Sequence, residues 1–466
     1  MDIKGTALNY LETAQGRWIE LASDIWQHPE LGMQETYAAK ALVDELEKAE
    51  FSVQRGVAGL PTAFVASWGE GKPIVGLLGE YDALPGLSQQ VSAAKDPVKE
   101  GAAGQGCGHN LLGVGSLAAA LAAKEAMQRG NIKGTIRYYG CPAEETMIGK
   151  VFMARAGLFD DLDAALTWHP FYNNTVWWSS ALAMNSFKVN YHGKAAHAAM
   201  APHEGRSALD AVELMDTAVN FMREHMPEKA RVHYVITHGG EAPNVVPAYA
   251  QVWYYIRSPL RQEVDAIYAR MLDIVKGAAL MTGTTYDIDF ITGSHETLPN
   301  DRLGELLMEE LKEGGPPQFT EEDKEFARCV QGTFAPNAIE SVLQSYGLTR
   351  EQVGDPLCEV IVEPYDRGRV MPASTDVAEV SQITPTAQIQ TCCQALGTAA
   401  HSWQNTACVG SGIGWKGMMA AARALALAVL DLQTKPEILQ TARAEFTQKT
   451  GGKKYVSPLP EGTKPH

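Results

Sequence analysis

The 466-residue chain has fewer basic than acidic residues, and it has few cysteines for its length. Its 39 lysines and arginines are outnumbered by 55 aspartates and glutamates, which gives a formal net charge of −16. A surface of this sign repels phosphate backbones and anionic lipids, which argues against nucleic acid or a membrane as the main partner. The seven cysteines are odd in number and lack the spacing of a disulfide scaffold, which predicts reduced thiols.

Long hydrophobic runs are also lacking. The N-terminal residues show no apolar stretch of the kind found in secretion signals, and the most apolar late segment, 418–430, is interrupted by Arg423. We therefore expect a cytoplasmic protein. A chain of this length that is 45% hydrophobic is expected to bury a large core and to divide into two domains.

Three apolar segments have the pattern of core strands, and polar residues follow each of them. The strands are predicted at 73–79, 134–140 and 164–168, and the residues after them are Glu80 and Asp82, Glu144 and Glu145, and His169. Open α/β sheets bind ligands outside the carboxyl ends of their strands, so we expect these side chains to share one site. The Ala- and Leu-rich segment 111–129 is predicted to be a crossover helix, with Asn110 as its N-cap.

The pattern changes between residues 184 and 292, where the predicted elements follow a β-α-β-β-α-β order. This order is typical of a ferredoxin-like unit, in which two helices cover one face of an antiparallel sheet. We predict an α/β, mixed-sheet catalytic domain formed by residues 1–183 and 296–466, with an inserted ferredoxin-like α+β lid domain at 184–295. Residues 300–370 are charged and interrupted by glycine and proline, and the sequence assigns them no role.

Several side chains have the chemistry of a metal site. Cys107 and His109 are two residues apart among glycines that let the backbone bend, and a thiolate with imidazoles suits a borderline metal such as Zn²⁺. In the adjacent pair Glu144 and Glu145, one carboxylate would bind a metal while the other addresses its water. Each signal alone has a plainer alternative, such as a solvated acidic turn or a buried core histidine. Their coincidence after predicted strands favours a site.

Four motifs resemble those of the aminoacylase and hippurate-hydrolase metallopeptidases. They are Glu80-Tyr81-Asp82-Ala83-Leu84-Pro85, Gly106-Cys107-Gly108-His109-Asn110, Cys141-Pro142-Ala143-Glu144-Glu145 and Gly193-Lys194-Ala195-Ala196-His197-Ala198-Ala199. The resemblance extends over nearly the whole chain and is weakest at 300–370 and after 440. Two departures from the wider family are Glu80-Tyr81-Asp82 in place of Asp-x-Asp and Asn110 in place of aspartate.

The resemblance implies a metal-dependent amidohydrolase with two divalent ions, Zn²⁺ or Mn²⁺. The implied metal ligands are Cys107, His109, Glu145, His169 and His401. Glu144 is implied as the general base and His197 as a group that holds the scissile carbonyl oxygen, while we expect Asp82 to orient a neighbouring ligand. Asn244 and Arg257 match positions that contact substrate, and a guanidinium suits the carboxylate of an amino acid.

The expected reaction is hydrolysis of the amide bond of N-acyl, in particular aroyl, amino acids such as p-aminobenzoyl-glutamate. The expected assembly is a homodimer through the lid domain, or a pair with a homologous second subunit. Alternatives with the same metal centre are an indole-acetyl-amino acid hydrolase and a dipeptidase. Two further alternatives are a cysteine hydrolase that uses Cys107 with His109 and a non-catalytic partner subunit.

Overall fold

The computed structural model describes residues 2–465. Its helices are α1 (Ile3–Thr13), α2 (Gln15–Gln27), α3 (Thr36–Lys48), α4 (His109–Gly130), α5 (Gly149–Arg155), α6 (Ala208–Met222), α7 (Arg261–Thr282), α8 (Asp301–Gly314), α9 (Glu321–Gln331), α10 (Ala338–Tyr346), α11 (Arg350–Val353), α12 (Val377–Ser381), α13 (Trp403–Val409), α14 (Gly412–Thr434) and α15 (Pro436–Thr450). Its strands are β1 (Ser52–Arg55), β2 (Phe64–Glu70), β3 (Ile74–Glu80), β4 (Gly134–Cys141), β5 (Ala164–Phe171), β6 (Thr175–Trp177), β7 (Ser180–Ala181), β8 (Ala183–His192), β9 (Arg231–His238), β10 (Tyr249–Ser258), β11 (Thr285–Ser294), β12 (Val370–Met371) and β13 (Thr386–Cys392).

The chain packs as two compact units. The first contains the residues up to Ser179 together with Leu298–Arg369 and Val380–Tyr455. The second contains Ser180–Thr297, Val370–Glu379 and the residues from Val456 onward. The largest segment of the second unit, Ser180–Thr297, is therefore an insertion in the sequence of the first.

A seven-stranded mixed sheet, in the order β1-β2-β4-β3-β5-β13-β6, forms the centre of the first unit. Its four middle strands, β4, β3, β5 and β13, run parallel to one another, and the outer pairings are antiparallel. Helices α4 and α14 pack against each other and against this sheet. Because the four middle strands share a direction, their carboxyl ends lie at one edge, as the α/β prediction requires.

Helix α14 is long and apolar enough to cross a membrane. Of its most apolar stretch, however, 83% is buried inside the structure. Its alanines and leucines belong to the main core, as do those of α4. A helix that is apolar on all sides is expected in the centre of a large core, and this position accounts for its composition.

The beginning of α4 differs from the prediction. Asn110 was predicted as the N-cap, and this is wrong, because the helix already begins at His109. Gly108 precedes it with φ of +88°, a left-handed conformation that glycine adopts without steric cost. The side chain of Asn110 instead donates a hydrogen bond of 3.2 Å to the carbonyl oxygen of Ala22. Asn110 thus ties α4 to α2.

The second unit contains a four-stranded antiparallel sheet in the order β11-β8-β10-β9. Helices α6 and α7 pack against each other and against this sheet. The Ser207 hydroxyl begins α6 by accepting the N–H of Asp210 at 3.1 Å, which is the usual N-cap contact. The predicted ferredoxin-like order is confirmed by this topology.

The segment 300–370 has a structural place in the first unit. Helix α8 packs against α14 and contributes its leucines to the main core. The part from α9 to α11 helps to form a separate apolar cluster that includes Phe319, Val330, Leu343 and Val353. Some of its acidic residues, among them Glu310 and Asp323, are buried as well.

Candidate metal centre

The carboxyl ends of the parallel strands carry the acidic residues and one histidine of the candidate site. Strand β3 ends at Glu80, two residues before Asp82, and β5 carries His169 close to its end. The segment after β4 turns sharply and presents Glu144 and Glu145. These positions are the ones expected from the sheet topology.

Asp82 connects two of these segments. Its Oδ1 accepts a hydrogen bond of 2.8 Å from Nδ1 of His109, and its Oδ2 accepts the backbone N–H of Glu145 at 3.0 Å. Asp82 and His109 are both buried. A carboxylate on Nδ1 fixes the orientation of the imidazole and turns Nε2 toward the site. The predicted orienting position of Asp82 therefore agrees with its contacts.

Two groups of potential metal donors share the Cys107 thiol. The groups are Cys107, His109 and His169, and Cys107, Glu145 and His401, and within each group the donor atoms all lie within 4.8 Å of one another. Cys107 Sγ is 3.4 Å from His169 Nε2, and His401 Nε2 is 3.3 Å from Glu145 Oε2. Two metal ions that are bridged by one ligand need two groups of donors that share that ligand, and the thiol of Cys107 is shared in this way.

The spacing and the unsatisfied atoms both fit divalent cations. Two donors that bind one Zn²⁺ at ordinary bond lengths lie about 2.9 to 3.6 Å apart for bond angles between about 90 and 110°. The Oε1 of Glu145 and the Nε2 of His109 are buried and make no hydrogen bond. The Nδ1 of His169 donates to the carbonyl oxygen of Pro170 at 2.8 Å, which leaves its Nε2 as the donor atom toward Cys107. The residues present therefore suit the metal centre that their chemistry implies.

Burial places protons on several of these donors in the absence of a cation. It raises the pKa of the Cys107 thiol well above its usual range, with Glu145 adding to the effect. It also raises the pKa of the Glu145 carboxyl to about 7. Burial by itself lowers the pKa of His109, but Cys107 and Asp82 raise it well above its usual value. Burial and the nearby His109 lower the pKa of His169 to about 4, so this ring is neutral at pH 7.

These shifts predict that metal affinity falls as the pH falls. A cation must displace the protons from Cys107, His109 and Glu145, whereas His169 has none to lose above about pH 5. Each displaced proton weakens apparent binding about tenfold per pH unit, so we expect at least a tenfold loss of affinity between about pH 7 and pH 6. Competition with a chromophoric chelator at several pH values measures this. An affinity that is constant over that range would contradict the assignment of protonated donors.

Glu144 lies beside the two donor groups. Its Oε2 is 3.9 Å from His109 Nε2, and its side chain is 13% exposed. It belongs to a short turn flanked by Ala143 and Met147, whose φ angles are +54° and +59°. A strained turn of this kind persists where surrounding contacts hold it.

One such contact comes from Glu35, which sequence reasoning missed. Its Oε1 accepts the N–H of Ala143 at 2.8 Å, and its Oε2 accepts the Thr62 hydroxyl at 2.9 Å. Burial and the nearby Asp82 raise the pKa of this carboxyl to about 7. Glu35 stands at the N-terminus of α3, far from Glu144 in sequence, and no motif connects the two.

The remaining predicted site residues lie in the second unit. His197 is exposed, and its backbone bridges Val245, which follows Asn244. The Nδ1 of His197 accepts the N–H groups of Ala199 and Met200, each at 3.2 Å. The structure thus brings the segments of His197 and Asn244 together.

Arg257 lies near the opposite end of β10 from the segment that carries Asn244. Its guanidinium packs over the Tyr255 ring at 5.4 Å, and its Nε is buried without a hydrogen-bond partner. The structure therefore separates Arg257 from His197 and Asn244 within the second unit.

Comparisons with known proteins agree with these features. The family model of the peptidase dimerisation domain matches residues 183–281. The chain is 43% identical to a subunit of the p-aminobenzoyl-glutamate hydrolase of Escherichia coli (strain K12), over 98% of this chain and 97% of that protein. It is 31% identical to the Xaa-Arg dipeptidase of Mus musculus, over 95% of this chain and 92% of that protein.

A solved structure shares the fold. It is a dinuclear metal-binding peptidase of the M20 family from Bacillus subtilis, with 15% identity and a TM-score of 0.58. The match covers 91% of this chain and 99% of the other. At this identity the likeness concerns the fold alone.

Proposed function

The chain belongs to the M20 peptidase family and is a metal-dependent amidohydrolase, and from that premise we propose that it hydrolyses p-aminobenzoyl-glutamate and related N-aroyl glutamates. The support for this substrate class is the 43% identity to the Escherichia coli p-aminobenzoyl-glutamate hydrolase subunit over nearly the full length of both proteins. The observation that carries the chemistry is the pair of donor groups that share Cys107, with Glu144 beside them.

We assign Cys107, His109, Glu145, His169 and His401 as the residues that hold two divalent ions. When bound, the ions would polarise the amide carbonyl and lower the pKa of water toward about 7. A thiolate and three imidazoles favour Zn²⁺, whereas Mn²⁺ would occupy the same site only by availability. Burial and the nearby His109 lower the pKa of His401, so this ring offers a neutral nitrogen to an ion at pH 7.

Glu144 is the proposed general base. Its carboxylate would accept a proton from the water that attacks the amide carbon, and would then deliver this proton to the departing nitrogen of glutamate. Its place in the turn next to Glu145, on the same side as His109, suits this transfer. The backbone contact from Glu35 to Ala143 would hold the turn in position.

His197 is the proposed donor to the scissile carbonyl oxygen. Because its Nδ1 accepts two backbone N–H groups, the ring proton resides on Nε2, which can donate. We expect His197→Ala to lower kcat about 10² to 10³-fold, the usual cost of removing one oxyanion donor, with metal content unchanged. Steady-state kinetics with elemental analysis of the same samples test this. Loss of metal from the variant would instead make His197 a ligand.

Arg257 is the proposed contact to the carboxylate of the substrate's amino-acid half, and Asn244 is a second proposed substrate contact. The forked guanidinium of Arg257 can bind both oxygens of a carboxylate. An assay panel of p-aminobenzoyl-glutamate, benzoyl and indole-acetyl amino acids, and Xaa-Arg dipeptides tests the substrate class, using the purified chain alone. We expect the aroyl-glutamates to have the highest kcat/KM. Preferential cleavage of the dipeptides would favour the second candidate, an activity like that of the mouse relative.

The proposed assembly is a homodimer through the second unit, or a pair with a homologous subunit. The dimerisation-domain match lies within this unit. Strand β9 is at the edge of its sheet, and Tyr234, Val235 and Ile236 on it are exposed. An apolar strand at the edge of a sheet is a ready surface for pairing with another chain. We also propose a cytoplasmic location, which the seven thiols without disulfide bonds support.

A further inference from the structure

A buried ion pair lies next to His109 of the candidate metal centre. Glu80 is the last residue of β3, and its Oε1 is 2.7 Å from Nζ of Lys150 near the start of α5. The Glu80 side chain is 3% exposed and that of Lys150 is fully buried. Removing two charges from water costs free energy that their mutual attraction often fails to recover. A contribution to stability is therefore a weak explanation for this ion pair. Its position next to His109 suggests a role in metal binding.

The second oxygen of Glu80 faces a proposed metal ligand. Glu80 Oε2 is 3.2 Å from His109 Nε2, within the spacing of about 2.9 to 3.6 Å expected for two donors of one cation. The Nδ1 of His109 is already engaged by Asp82, and its Nε2 makes no hydrogen bond of ordinary geometry. An imidazole nitrogen that binds metal has given up its proton and carries a lone pair, and in that state a carboxylate at this distance would repel it unless a metal cation lies between them.

We propose that Glu80 is an additional carboxylate ligand of the cation held by His109, through the oxygen that Lys150 does not engage. The donor atoms of Glu80, His109 and Glu144 lie within 4.8 Å of one another, so Glu80 reaches the same space as the assigned ligands. Lys150 occupies Oε1 and leaves a single oxygen for the ion. This inference rests on the proposed metal centre and adds one ligand to it.

The test compares metal binding by Glu80→Gln and Lys150→Met with that of the unsubstituted chain. Chelator competition gives the number of ions and the two dissociation constants, and the absorption spectrum of the Co²⁺-loaded protein reports the ligand set. Glu310→Gln is the control, because Glu310 also pairs with a lysine, Lys4, at 2.7 Å and is 2% exposed, but it lies in the core-facing α8.

We expect Glu80→Gln to weaken one of the two ions at least about tenfold and to alter the Co²⁺ spectrum, while the other ion stays bound. Lys150→Met should not weaken either ion, because the carboxylate remains and loses a competing positive charge. Glu310→Gln should bind both ions as the unsubstituted chain does.

Two results would overturn the proposal. Unchanged dissociation constants and an unchanged spectrum in Glu80→Gln would show that the carboxylate is not a ligand. Equal weakening by Glu80→Gln and Lys150→Met would show that the pair acts only as a structural support. If the unsubstituted chain itself bound no ions, the proposed function would fail as well, so the two failures are distinguishable.

Discussion

Replacing Glu144 by glutamine is expected to lower kcat at least about 100-fold while both cations remain bound. Glutamine keeps the size of the side chain but cannot accept the proton of the attacking water. Because Glu144 is proposed as the base and not as a ligand of either ion, the metal stoichiometry should not change. Initial rates on p-aminobenzoyl-glutamate, together with elemental analysis of the same samples, measure both effects.

Glu47→Gln provides the matched control for this experiment. Glu47 belongs to α3 of the same unit, and its exposed carboxylate pairs with Arg55 at the surface, where an ion pair contributes little. This variant should retain full activity. Turnover close to that of the unsubstituted chain in Glu144→Gln would rule out the carboxylate as the base.

Replacing Cys107 by alanine is expected to have the largest effect, the loss of both cations and of activity. Cys107 is shared by both donor groups, so each ion would lose a ligand at once. Metal ions stabilise the transition state by several kcal/mol, which corresponds to a loss of at least about 10³-fold in kcat/KM. Elemental analysis after gel filtration should find substantially less than two ions per chain.

Cys329→Ala is the control, since Cys329 is an exposed thiol on α9. This comparison also separates the metal enzyme from the cysteine-hydrolase alternative. A nucleophilic Cys107 would lose activity on substitution while metal content and chelator resistance stayed the same. Retention of two ions in Cys107→Ala would therefore contradict the bridging role.

The sequence predicts the parts of the site that follow from sheet topology. Apolar strands followed by Asp82, by Glu144 and by His169 indicate a shared edge, because parallel strands bring their carboxyl ends together. The order of strands and helices in the inserted unit is also predicted from the local sequence pattern. Both patterns depend on local periodicity, which a single sequence records.

Local periodicity in the sequence does not indicate contacts between residues that are far apart in the chain. Glu35 and Lys150 reach the site from α3 and α5, and neither follows a core strand or belongs to a motif. Glu80 was predicted only to lie at the strand edge, where it departs from the family pattern, because its contact with His109 depends on the fold. Asn110 has the side chain of an N-cap residue, but the helix begins one residue earlier because Gly108 adopts a positive φ.

The predicted substrate contacts are of a different kind. His197, Asn244 and Arg257 were identified by resemblance alone, and they lie in the second unit. Local geometry supports a donor role for His197, since its Nδ1 is occupied by backbone N–H groups. The roles of Asn244 and Arg257 stay predictions.

The central claim is that five side chains from separate segments hold two cations around one thiol. The most direct measurement is anomalous diffraction at the absorption edge of the bound metal, from crystals of the loaded protein. We expect two peaks near Cys107 Sγ, one next to His109 and His169 and the other next to Glu145 and His401. An absence of peaks there, or peaks that Cys107 does not contact, would contradict it.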